Sequence, residues 1–212
     1  MVFLFPLAGM SQENFGIAFI RGFNPVIDVF GFETVTIIKK KKQYELESKS
    51  NIKATGVFVF EDYKLISAGF TDKKGLNLTG GTFENGEGEL SLTYKNKQQI
   101  TANFTGGLLN DTACYYEYVN GIKVLMNKIN FKSGYLDGTC YSYDNEGNML
   151  TQTKYEHNKM VYRAWYGFYP ESGPFKPMVH KGKIRQEDFY ENNKIKRTVI
   201  YKTDGTVDRI IE

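Results

Sequence analysis

The chain has 212 residues and a formal net charge of only +3, so bulk electrostatics select no partner and no nucleic-acid ligand is expected. Aromatics make up 15% of it and glycine contributes 21 residues, with no heptad or sustained 3.6-residue periodicity. That excludes a helical bundle or coiled coil and favours strands joined by turns.

Taken in chain order, residues 1–11 open with the apolar run Val2 to Gly9, and Gly9-Met10-Ser11 sets small residues before Gln12. This pattern predicts a secretory-signal remnant whose charged n-region lies further upstream; the competing reading is an ordinary apolar first strand. Nothing later reaches the length of a membrane-spanning helix, so the mature chain is expected to hold no integral membrane segment. Residues 12–56 form a separate amino-terminal cap in which Val26 to Phe30 and Thr34 to Ile38 read as strands. The run Lys39 to Lys42 reads as a solvated turn or a protected sheet edge, against contact with acidic lipid, nucleic acid or a surface polymer.

Residues 57–212 read as a β-hairpin array. Counting from Phe83, Phe104, Phe131, Tyr155 and Val179, position plus three is Gly86, Gly107, Gly134, Asn158 and Gly182. Position plus eleven is Tyr94, Tyr115, Ser142, Tyr166 and Tyr190, and the anchors are 21, 27, 24 and 24 residues apart, a repeat-protein period. Asparagine is the residue after glycine that best tolerates positive φ, so Asn158 predicts a left-handed turn at this position. A second turn signal follows in each unit, at Asn120-Gly121, Glu146-Gly147, Ser172-Gly173, Asn192-Asn193 and Asp204-Gly205. In a strand over 138–143, period two puts Thr139, Tyr141 and Tyr143 on one face and Gly138, Cys140 and Ser142 on the other.

The segments Phe131-Lys-Ser-Gly-Tyr-Leu-Asp-Gly-Thr-Cys-Tyr-Ser-Tyr-Asp-Asn-Glu-Gly-Asn and Tyr118-Val-Asn-Gly-Ile-Lys resemble units of the bacterial MORN-repeat variant family, often described as antitoxin-like. The resemblance covers about residues 83–205, more weakly 57–82, and departs from the family at Asn158 and in the proline-bearing unit with Pro170, Pro174 and Pro177. It implies an all-β fold: an elongated, single-layer antiparallel sheet of stacked β-hairpins with an amino-terminal β cap. It also implies protein or membrane-surface contacts without catalysis.

The two cysteines predict no disulfide. Cys114 and Cys140 fall on opposite faces with a strand between them, about 10 Å apart at roughly 4.8 Å per strand, beyond disulfide reach. His157 and His180 are the only histidines and lie in no metal-binding motif, and no nucleotide or nucleophile-elbow fingerprint appears. No catalytic residue, metal or cofactor is therefore assigned. Glu84, Glu87, Glu89 and Asp111 read as a solvated face, the alternative being a hydrolase's carboxylate pair.

The candidate partner-binding residues are Tyr141, Tyr143, Tyr162, Trp165, Phe168 and Tyr169. Clustered Tyr and Trp suit an interface. The plainer account is a ladder of cross-strand aromatic pairs, favoured for Tyr166. The leading function is an exported, non-enzymatic interaction or scaffold module that binds and neutralises a protein partner. A glycan or surface-polymer binder is the alternative, and a phospholipid-surface binder a minor one.

Overall fold

A computed structural model of the chain describes residues 29–30, 32–40, 43–50, 54–94, 98–167 and 182–212. The expected features in residues 1–11, the Ser172-Gly173 turn and the three prolines of the fourth unit lie outside these. Every named element is a strand. The first four are β1 (Phe32–Lys40), β2 (Gln43–Ser50), β3 (Ala54–Glu61) and β4 (Lys64–Asp72). They form one antiparallel sheet in the order β1-β2-β3-β4. The sequence boundary at 56/57 thus falls inside β3, and the expected Thr34 to Ile38 strand lies within β1.

The remaining strands make a second antiparallel sheet. They are β5 (Thr79–Gly81), β6 (Gly88–Tyr94), β7 (Gln98–Thr105), β8 (Leu108–Val119), β9 (Ile122–Lys132) and β10 (Tyr135–Leu136). Next come β11 (Gly138–Tyr143), β12 (Met149–Glu156), β13 (Lys159–Tyr166), β14 (Ile184–Glu191), β15 (Lys194–Tyr201) and β16 (Val207–Ile211). Their order is β16-β15-β14-β13-β12-β11-β9-β8-β7-β6-β5, with β10 paired to β9. The sheet is open.

The turn chemistry explains this hairpin succession. All five plus-three residues lie at positive φ, between 63° for Asn158 and 86° for Gly86. The preceding residue is left-handed too at Asn85, Gly106, Ser133 and His157, which gives the paired positive φ of a hairpin turn. The turn also ties one unit to the last. Gly134 N–H donates to Leu109 O at 2.8 Å, and Asn158 N–H donates to Leu136 O at 2.8 Å, the equivalent acceptor one unit on. The asparagine adds a bond glycine cannot make: its Oδ1 accepts from Leu136 N–H at 2.6 Å.

The two sheets share one apolar core. Phe58, Phe60, Leu65 and Phe70 from the first sheet pack in the same buried cluster as Leu90, Leu92, Ile100, Phe104, Leu109 and Phe131 from the second. Edge-on rings close it, with Phe58 and Phe70 centred 5.5 Å apart and Phe83 and Phe104 4.9 Å apart. Each fully buried phenylalanine or leucine contributes about 1.5–3 kcal/mol. Beyond Phe131 the buried residues among those described are Cys140, Thr153, Ala164, Gly167, Asp188 and Val199, none of them with a large apolar side chain. Among the described residues, the sheet is a single layer from β11 onward and the core occupies only the first half of the array.

Candidate functional site

Residues directly opposite one another across antiparallel strands share a face, and alternate residues along a strand change face. One unbroken row of opposed residues runs Ser91, Thr101, Cys114, Lys128, Tyr141, Gln152, Ala164, Glu187 and Val199. The other face carries Leu92, Ile100, Tyr115, Asn127, Ser142, Thr151, Trp165 and Gln186. Because Leu92 and Ile100 belong to the core cluster, this second face is the one that packs against β3 and β4.

The first face bears tyrosines in a regular array. The strands β8, β11, β13 and β15 run in one direction, and two residues on from Cys114, Tyr141, Ala164 and Val199 stand Tyr116, Tyr143, Tyr166 and Tyr201. Immediately before each of the four, the ladder with the next strand slips by a residue, a bulge that re-aims the side chain. Their contacts keep all four on this face. Lys123 Nζ lies 3.9 Å from the Tyr116 ring centre, and Tyr143 stacks on Tyr141 with centres 6.4 Å apart. Tyr166 Oη donates to Gln152 Oε1 at 3.1 Å. Glu187 joins the end of the array: its Oε1 accepts from Tyr162 Oη at 2.5 Å and its Oε2 accepts from Tyr201 Oη. All of these tyrosines are half-buried, so each keeps part of its surface exposed.

Burial and carboxylate neighbours favour the neutral phenols. Tyr162 is raised chiefly by burial and then by Glu187, while for Tyr201 the bond to Glu187 leads. Tyr143 and Tyr166 are also raised, first by burial, and Tyr116 is pushed up to about 12, by burial ahead of its bond with Cys114. A raised phenol stabilises the fold fully below the ordinary value of 10.0 and loses that contribution as pH climbs through the folded-state value. Near-ultraviolet absorbance should therefore show a class of tyrosines that ionises late, together with loss of structure. A single unshifted tyrosine titration that leaves the fold intact would refute this.

The sequence-derived residues divide between the faces. Tyr141, Tyr143 and Tyr162 come together on the tyrosine face. Trp165 sits on the opposite one, where its Nε1–H donates to Asp188 Oδ2 at 3.1 Å and the Arg163 guanidinium lies 5.0 Å from its ring centre. Asp188, only 3% exposed, also accepts from Gln186 Nε2 at 2.9 Å and Thr198 Oγ1 at 2.8 Å. The lone tryptophan is thus half-buried in a polar ladder, apart from the tyrosines. Phe168 and Tyr169 lie outside the described residues. Sequence reasoning did not pick out Tyr116, Tyr201 and Glu187, and it assigned Tyr166 to the ladder; the bulges that align the four tyrosines leave no mark in composition.

The cysteines stand as the strand alternation requires. Cys114 lies on the tyrosine face and Cys140 on the other, β9 runs between their strands, and both are free thiols. Burial pushes the Cys140 thiol up, partly offset by the Asn130 N–H that donates to its Sγ at 3.4 Å. Among the described residues, no group of three or more His, Cys, Asp or Glu side chains could hold a metal. No described helix is long and apolar enough to cross a membrane. Neither a scan against protein-family models nor a search of curated proteins finds a match to this chain.

Proposed function

We propose that this protein is a non-enzymatic binding module that docks a protein partner on the tyrosine face of its single-layer half. The observation that carries the reading is the alignment of Tyr116, Tyr143, Tyr166 and Tyr201 on one open face, each half-buried and held by neighbours. Tyrosine supplies a large contact at low entropic cost, because its rotation is limited to two side-chain torsions. Gln152 and Glu187 fix three of the hydroxyls in the strip, Tyr166 through the first and Tyr162 and Tyr201 through the second, so little ordering is left to do on binding.

The neighbouring carboxylates support a role without catalysis. Glu187 and Asp188 are adjacent on β14 and point to opposite faces, so they cannot act on one substrate. Both are also engaged by hydroxyl, amide or indole donors. The family resemblance of the turn-and-tyrosine pattern points to the same class of function.

The test is site-specific photo-crosslinking in the cells that make the protein. A photoreactive phenylalanine analogue at position 143 or 201 should give a covalent protein adduct, and the same analogue at Thr151, on the opposite face, should not. Equal labelling from both faces, or no protein adduct from any tyrosine-face position, would remove the reading.

A further inference from the structure

We infer that the tyrosine row is a track for a proline-rich segment of the partner in the polyproline II conformation. The inference rests on the tyrosine face being the protein-binding surface, and names what that surface recognises.

Spacing is the first argument. The four tyrosines occupy β8, β11, β13 and β15, which are every second strand in the sheet. Strands lie about 4.8 Å apart, so the rings recur about every 9.6 Å along the row. A polyproline II helix has three residues per turn at about 3.1 Å each and returns to the same side about every 9.3 Å. The mismatch of ~0.3 Å per step reaches only ~1 Å over three steps, which side-chain rotation absorbs. An α-helix repeats its contact about every 10.5 Å and would be nearly 3 Å out of step by the fourth ring. An extended strand repeats about every 6.7 Å and misses the second ring altogether.

Chemistry is the second argument. A proline-rich chain offers pyrrolidine rings and backbone carbonyls but few N–H donors. The tyrosine face matches this with ring surfaces on alternate strands and polar groups on the strands between them. Lys128 on β9 and Gln152 on β12 each lie opposite Tyr141 and carry N–H groups that can donate to carbonyls. Gln152 already accepts from Tyr166 through Oε1, which fixes which end of its amide remains to donate. Glu187, between the last two tyrosine strands, is an acceptor and suits a basic residue at one end of the ligand. That gives the track a direction. From β8 to β15 is six strand steps, about 29 Å, or about nine residues of polyproline II.

The experiment is fluorescence polarisation of the full chain with a labelled decaproline peptide, against a glycine–serine peptide of equal length. Decaproline should bind saturably and the glycine–serine peptide should not. Tyr143→Ala and Tyr166→Ala should each weaken binding about tenfold, the effect of losing one such ring contact. Tyr143→Phe keeps the ring and should bind as the parent does, and it also shows that weakening in the alanine variant reflects the contact. Absence of saturable decaproline binding overturns the inference, as does binding that ignores both alanine substitutions. Binding of a linear oligosaccharide that Tyr143→Ala abolishes, with none of decaproline, overturns it in favour of a polysaccharide. If face-specific crosslinks form in cells while decaproline does not bind, the polyproline inference falls and the protein-docking reading stands. If neither is seen, both fall.

Discussion

Gly107→Ala should lower the unfolding free energy by about 3 kcal/mol or more, whereas Gly121→Ala in another hairpin turn should cost only about 1–2 kcal/mol. Both glycines sit at positive φ, 74° and 80°, so the conformational penalty is common to them. The difference is what surrounds each. A Cβ on Gly107 would lie 2.6 Å from Lys64 Cβ and 2.8 Å from Leu65 O, while around Gly121 nothing stands within 4 Å. Gly107 also joins the sheets, because its carbonyl accepts from Leu65 N–H at 2.8 Å and its own N–H donates to Gly86 O at 2.9 Å. Relief of the overlap must push β4 off the second sheet and open the core that both cover. Urea denaturation of the two variants measures this; equal costs would mean that the joint yields freely.

Asp188→Ala should cost about 3 kcal/mol and move the emission of Trp165 to longer wavelength. The carboxylate is buried and accepts from an indole, an amide and a hydroxyl, and Arg163 lies directly opposite on β13. Truncation leaves all of these donors without their acceptor in a place water reaches poorly. Asp188→Asn keeps the shape and part of the acceptor capacity, and should retain more stability than the alanine variant. Denaturation followed by tryptophan fluorescence reads both effects at once. A variant of unchanged stability and unchanged emission would show that the network contributes nothing.

The sequence was most legible where one backbone conformation admits few residues. Positive φ favours glycine and a few polar residues, and all five positions of the plus-three pattern have it, Asn158 included. Period two was equally informative within a strand: β11 spans Gly138–Tyr143, and the cysteines face oppositely as alternation requires. What stayed hidden depends on neighbours across strands. Trp165 and Tyr162 are close in sequence but belong to opposite faces, and joining each to Tyr141 needs the register through Gln152. The bulges shift phase as well. Position plus eleven puts Tyr115 in the core-facing row, yet Tyr166, at the same position in a later unit, bonds Gln152 on the other side. The separate sheet of β1 to β4 was not legible either, because Phe58, Phe60, Leu65 and Phe70 signal strands without saying what they cover.

A sheet with a one-sided core resists slippage because a shift of one residue turns its apolar side to water. The half beyond β11 lacks that safeguard, and Glu187 next to Asp188 supplies another. Sliding β14 by one position would bring the shorter Asp188 to the tyrosines that Glu187 reaches and the longer Glu187 to the buried place where Asp188 fits beside Trp165 and Thr198, so neither set of bonds would keep its geometry. The two carboxylates work as a key cut on both edges, and strand alignment here is enforced by polar matching instead of by an oily interior.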